Sequence, residues 1–181
     1  MIFIGIDNGV SGSIGIIDEE GKAHLFPTPT KSDLNYQKTK VKHITRIDVA
    51  ALRTLLKRFV YKDGVGSNLS TKMSCKALIE RPMVNPQRFD ATTSALRALE
   101  ATLIVLESLG IGYEYCDSKA WQKKLLPYIT VADKKEYPAK LKKVSLEVGQ
   151  RMYPELEWDK FKDADGILIA RYLMEVHNGT A

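Results

Sequence analysis

Ile2-Phe-Ile-Gly-Ile-Asp7 and Ser13-Ile-Gly-Ile-Ile-Asp18 decide how this chain is read. Each run is rich in isoleucine, whose branched side chain packs well on a pleated surface. Asn8-Gly9 and Gly12 lie between them and signal a turn. The stretch therefore predicts strands over Ile2 to Ile6 and Ser13 to Asp18, and Lys22 to Phe26 follows as a third strand after Glu20-Gly21. Three short strands in succession imply an antiparallel meander.

Farther along, residues 28 to 45 contain Pro29, several lysines and little periodicity, so a loop is expected. Asp48 is placed to cap a helix to about Val60, with Val49, Leu52, Leu55, Leu56 and Phe59 on one face. Lys62 to Ser74 reads as a polar connection and Lys76 to Glu80 as a strand that ends in a carboxylate. Arg81 to Asp90 holds two prolines and reads as a loop. Ala91 to Leu109 is the longest helical pattern, Ile111 to Cys116 a strand, and Ser118 the cap of a helix to about Leu126. Residues 127 to 138 form a second loop, followed by helices over Ala139 to Tyr153 and Asp163 to Val176. A meander followed by alternating helices and strands predicts an α/β architecture. Its mixed five-stranded sheet has parallel later strands and helices on both faces.

Composition narrows the class. The chain has 181 residues, 44% hydrophobic and 27% charged, with a net charge of +5. That suits one domain spanning residues 1–181 and is unlike disordered or membrane proteins. The excess of positive charge permits a polyanionic partner. Cys75 and Cys116 show no metal-ligand spacing and fit a reducing, cytoplasmic location. The first residues lack a basic segment ahead of their apolar run, and Asp7 interrupts it, which argues against a secretory signal. No stretch reaches the ~18 apolar residues of a membrane span.

Acidic residues fall where strands and helices end. Asp7 closes an uncharged strand, either as turn chemistry before Asn-Gly or as a group reaching into a cleft. Glu80 repeats the pattern before Arg81-Pro82, either as a surface glutamate or as a neighbour of Asp7 across adjacent strands. Two such carboxylates repel unless a proton or cation is shared. In Lys162-Asp-Ala-Asp165, Asp163 stands where a helix N-cap would stand. Residues two apart in a helix point about 200° away from each other, so Asp163 and Asp165 face one site only if the helix begins later. Carboxylates converging from separate elements make an oxygen-rich site for Mg²⁺ or Mn²⁺. His24, His43 and His177 form no ligand pair, which argues against zinc.

With these residues in place the sequence resembles the RuvC-like Holliday junction resolvases, in their phage-type and chloroplast-type branches, and the element order resembles the ribonuclease H-like fold. The likeness is carried by Ile4-Gly-Ile-Asp-Asn-Gly-Val-Ser-Gly-Ser-Ile-Gly-Ile-Ile17, Leu78-Ile-Glu80, Ser94-Ala-Leu-Arg-Ala-Leu-Glu100, Asp117-Ser-Lys-Ala-Trp-Gln-Lys123 and Asp163-Ala-Asp-Gly-Ile-Leu-Ile-Ala170. It implies that Asp7, Glu80 and Asp165 are catalytic metal ligands. The family places a further ligand three or four residues before the last acid; here the position three before is Lys162, and Asp163 is the nearest candidate. It also implies a homodimer that cuts a four-way DNA junction by paired nicks with two Mg²⁺ ions, Mn²⁺ substituting, and without a nucleotide cofactor.

Two basic segments suit such a partner. Residues 28–46 carry Lys31, Lys38, Lys40, Lys42 and Arg46 against Asp33, a local +4. Residues 119–143 carry eight lysines against Asp133 and Glu136, a local +6, with Lys119, Lys123, Lys124 and Lys142 among them. Such runs are either solvated faces or phosphate contacts, and their position on both sides of an acidic site favours contacts, with Arg81 beside it. Trp121 is either packing or a stacking platform. Phe89 or Met83 is either a wedge at the branch point or tucked against the next helix. In the helix 91–109, Leu96, Leu99, Leu103 and Leu106 make one apolar stripe. Ala91, Ala95, Ala98, Thr102 and Val105 make a second. One side meets the sheet and the other suits a second copy, or both belong to a monomeric core.

Rival readings are a flap or branched-DNA nuclease on the same fold, a non-catalytic junction-binding protein, and a phosphotransferase whose first hairpin also reads Gly-Ile-Asp-x-Gly. The last needs a second phosphate motif that this chain does not carry.

Overall fold

The meander forms as its isoleucines predict. In a computed structural model that describes residues 1–36, 42–63, 70–131 and 133–179, β1 (Ile2–Ile6), β2 (Ser13–Ile17) and β3 (Ala23–Pro27) pair antiparallel in chain order. Strand β4 (Thr30–Leu34) pairs with β5 (His43–Ile47) in a separate ribbon. It is followed by α1 (Val49–Val60), the short pair β6 (Tyr61–Asp63) and β7 (Ser70–Lys72), and β8 (Cys75–Glu80). A 3-10 turn (Pro86–Arg88) leads into α2 (Phe89–Ser108). Then come β9 (Gly112–Cys116), α3 (Ser118–Leu125), α4 (Tyr137–Met152) and α5 (Asp165–His177).

The main sheet has five strands in the order β3-β2-β1-β8-β9, with β8 parallel to β1 and β9 parallel to β8. The expected mixed sheet is present. Alternation along the strands divides the core in two. Ile2, Ile4, Ile6, Ile14, Ile16, Ala77 and Ile79 meet Leu52 and Leu56 of α1 and Ala98, Val105 and Leu106 of α2 on one face. Phe3, Ile17 and Leu78 meet Trp121 of α3, Val148 of α4 and Ile167 to Ala170 of α5 on the other.

Helix α5 sits unusually close to the sheet. A Cβ at Gly5 would collide with the backbone of Ala170 and Gly166, and one at Gly15 with the backbone of Ile167. From the other side, a Cβ at Gly166 would come within 2.7 Å of Ser13 O. Helix and strands therefore touch backbone to backbone, which glycine alone allows.

Several sequence expectations need correction. Residues 28 to 45 are not wholly a loop, because Thr30–Leu34 and His43–Ile47 form a ribbon. It is mostly exposed and polar, held in part by Arg46 Nη1 on Asp33 Oδ2 at 3.0 Å, so it leaves no hydrophobic period to read. The connection 62–74 likewise contains β6 and β7. Helix α4 begins two residues earlier than expected, since Pro138 suits the first helical turn. Ser118 lies inside α3, whose N-cap residue is Asp117. Asp48 caps α1 as expected, accepting from Ala51 N at 3.0 Å.

Candidate metal centre

The register of β1 and β8 brings the first two acids together. Ile6 pairs with Ile79, so one residue farther Asp7 and Glu80 leave neighbouring parallel strands on the face that α5 covers. Asp7 is held at the C-terminal end of β1, where its N–H donates to Ser13 O at 3.0 Å. Gly12 lets the returning chain pass close by; a Cβ there would lie 3.1 Å from Asp7 Oδ2.

Asp163 and Asp165 enter from the start of α5. The helix begins at Asp165, with Ala164 at the N-cap position and no side-chain cap. The N-cap reading of Asp163 is therefore corrected. Serine hydroxyls serve the backbone there instead: Gly166 N donates to Ser13 Oγ and Ala164 N to Ser145 Oγ, each at 3.1 Å. Released from the helix, Asp163 turns inward, 7% exposed. Oxygens of Asp7, Asp163 and Asp165 lie within 4.8 Å of one another. Glu80 stands beside this triad, near enough for its charge to act on Asp7 and Asp165.

Electrostatics shows the crowding. Burial first, then the charges of Asp165, Glu80 and Asp163, push the Asp7 carboxyl up to about 8. Burial and the Asp163 charge push Asp165 up to about 7, against the hydrogen bond it accepts from Ser145 Oγ. Glu80 is also raised, chiefly by burial, although Trp121 Nε1 donates to its Oε2 at 2.9 Å. Lys142 Nζ is the nearby counter-charge, 2.8 Å from Asp163 Oδ2, and that bond raises the lysine. Carboxylates compressed this far above their ordinary range fit a divalent cation: the donors are hard oxygens, with no thiolate or imidazole among them.

The remaining sequence-predicted residues divide clearly. Trp121 is 0% exposed, so it packs and orients Glu80 rather than stacking on a ligand. Lys142, half exposed, turns its Nζ to Asp163. Arg81 lies exposed at the cleft edge, 3.8 Å from Asp117 and over the ring of Tyr115. Lys119, Lys123 and Lys124 are exposed on α3, and Lys42 is exposed just before β5. Lys38 and Lys40 lie outside the described residues. Phe89 and Met83 are 64% and 82% exposed, so neither is tucked into the core. Helix α2 turns Ala98, Thr102, Val105 and Leu106 inward and leaves Leu96 and Ile104 exposed. Sequence reasoning missed Ser13 and Ser145 as organisers of the last helix. The signal for Ser145 is its i,i+3 spacing from Lys142, which puts both on one face of α4.

No family model matches the sequence, and no curated protein matches it. Among solved structures, the fold is similar to T. thermophilus RuvC in complex with a Holliday junction substrate. That likeness has a TM-score of 0.58 and 14% identity, and covers 100% of this chain and 98% of that one. It is similar also to a Thermus thermophilus RuvC structure, with a TM-score of 0.56, 17% identity and the same coverages. The five-stranded mixed sheet with helices on both faces is thus the ribonuclease H-like fold in the form that RuvC has.

Proposed function

We propose that this protein is a structure-selective endonuclease that resolves four-way DNA junctions by symmetric paired nicks. The observation that carries the reading is the convergence of Asp7, Asp163 and Asp165, with Glu80 beside them, at the C-terminal ends of the central strands β1 and β8 of a RuvC-like sheet. In this reading Asp7, Glu80, Asp163 and Asp165 hold two Mg²⁺ or Mn²⁺ ions. When bound, the ions supply activation of the attacking water and stabilisation of the leaving 3′ oxygen.

The chain's own residues set the geometry. Ser145 fixes the rotation of Asp165, and Trp121 that of Glu80. Lys142 neutralises Asp163 until a cation or phosphate arrives. Arg81, Lys42, Lys119, Lys123 and Lys124 contact phosphates around the acids, with Lys38 and Lys40 extending that surface. Phe89 or Met83 inserts at the branch point, where an apolar wedge unstacks a base step.

Paired nicks need two sites, so the protein acts as a homodimer. The exposed Leu96 and Ile104 on the outer side of α2 supply an apolar surface for the second copy. Free thiols at Cys75 and Cys116 agree with action in the cytoplasm of a bacterial or phage-infected cell.

Incubation with Mg²⁺ and a labelled four-way junction, a flap and a linear duplex tests the reading. Symmetric nicks confined to the junction, sealed by a ligase without end processing, are expected. Equal rates on all three substrates remove the resolvase reading and leave a general branched-DNA nuclease. Tight junction binding without any nicking leaves a binding protein.

A further inference from the structure

Outside the acid cluster, α3 and α4 enclose an open trough of about 490 Å³. Lys119, Gln122 and Lys123 line it from α3, spaced so that they share one helix face, Leu126 lines it just past the end of that helix, and Tyr137 and Leu141 line it from α4. Tyr128 stands on the connecting loop, 95% exposed. A tyrosine so fully in water gains nothing from burial in its own fold. Among the described residues no carboxylate lines the trough, and its charges are the two lysines.

We propose that this trough binds a stretch of single-stranded DNA, stacking unpaired bases on Tyr128 and Tyr137 while Lys119 and Lys123 hold the phosphates between them. Apolar and aromatic walls with two lysines match a polyanion that also presents flat, apolar faces. A paired duplex offers no free base faces, because its bases are already stacked on one another.

Both walls are joined to the acids. Trp121, in the same helix as Lys119 and Lys123, holds Glu80, and Lys142, next to Leu141, holds Asp163. The trough is therefore on the same side of the sheet as the acid cluster. Lys119 also lines the cleft formed with Arg81 and Met83, so one lysine borders both spaces. Bases freed at the branch point would find a place to stack there. The inference rests on the endonuclease reading only in taking DNA as the partner.

Binding of the whole chain to a fluorescein-labelled oligothymidylate of about ten nucleotides tests it, in EDTA and at one low salt concentration. An abasic oligomer of the same length serves as the control. Tyr128→Ala and Tyr137→Ala are each expected to weaken oligothymidylate binding about tenfold, while Tyr128→Phe and Tyr137→Phe retain it. The abasic oligomer should bind more weakly than oligothymidylate, and equally to all variants. Alanine variants that bind oligothymidylate like wild type overturn the proposal, as does wild-type protein that holds the abasic oligomer equally tightly. Tyrosine-dependent binding without junction cleavage would uphold the trough and remove the resolvase reading. Junction cleavage without tyrosine dependence would do the reverse.

Discussion

Trp121 donates its indole N–H to Glu80 Oε2 at 2.9 Å, so the buried side chain that anchors α3 to the core also orients an acid of the candidate site. Trp121→Phe keeps most of the packing and removes the donor. A hydrogen bond to a charged group is worth about 1.5–3 kcal/mol. Nicking should therefore slow by roughly tenfold or more, with circular dichroism unchanged. Wild-type rates in a folded Trp121→Phe protein would show that Glu80 needs no such support.

Asp7→Asn removes the acid that burial and its neighbours push highest. Nicking should be abolished in Mg²⁺ and in Mn²⁺, whereas junction binding in EDTA should stay nearly intact because the basic surface is untouched. A gel-shift titration beside a cleavage assay separates the two. Residual nicking at the wild-type rate would take Asp7 out of the mechanism.

Stability should depend on pH with a definite sign. Asp7 and Asp165 titrate at about 8 and about 7 in the folded protein, but at roughly 4 in an unfolded chain. Between those limits the native state holds more protons, so its stability is greatest on the acid side and falls as pH rises toward 8. Each kcal/mol lost lowers Tm by about 2–4 °C in a chain of this size. Thermal melts in EDTA from pH 5 to pH 8 should show the decline, and Mn²⁺ should reverse it most at pH 8. A flat profile in EDTA would contradict the crowding.

Lys142→Met leaves the buried Asp163 carboxylate without its ammonium partner. The lysine is itself half exposed, so the loss is smaller than for a fully buried pair, about 1–2 kcal/mol. Melting of the metal-free protein should fall by a few degrees. The rise in Tm on adding Mn²⁺ should exceed that of wild type, because the lysine no longer competes for the carboxylate. An unchanged metal response would mean that Asp163 is not part of the cation site.

Much of this was legible in the sequence because burial writes a period. Alternation along β1 and β2 puts Ile2, Ile4, Ile6, Ile14 and Ile16 in one core and Phe3 and Ile17 in the other, and Asp7 and Glu80 stand out because each ends an apolar strand. The ribbon β4–β5 was not legible, since it is mostly exposed and its residues obey no such period. Asp163 was ambiguous for another reason. Its role turns on where α5 starts, and that is settled by Ser13 and Ser145, remote in sequence, which take over the backbone N–H groups at the helix entrance. Lys142 read as one lysine in a basic run; only the packing of α4 beside α5 turns it toward the acids.

The glycines under α5 have a consequence for variation. With Gly5, Gly15 and Gly166 letting the backbones meet, the offset between Asp7 and Asp165 is set by main chain against main chain, and no intervening side chain acts as a spacer. Substitutions in either core can then change volume and stability while leaving the spacing of the acids intact. The two properties are thereby free to drift apart in evolution: the hydrophobic sequence can change widely, and the centre keeps its dimensions so long as three positions stay without a side chain.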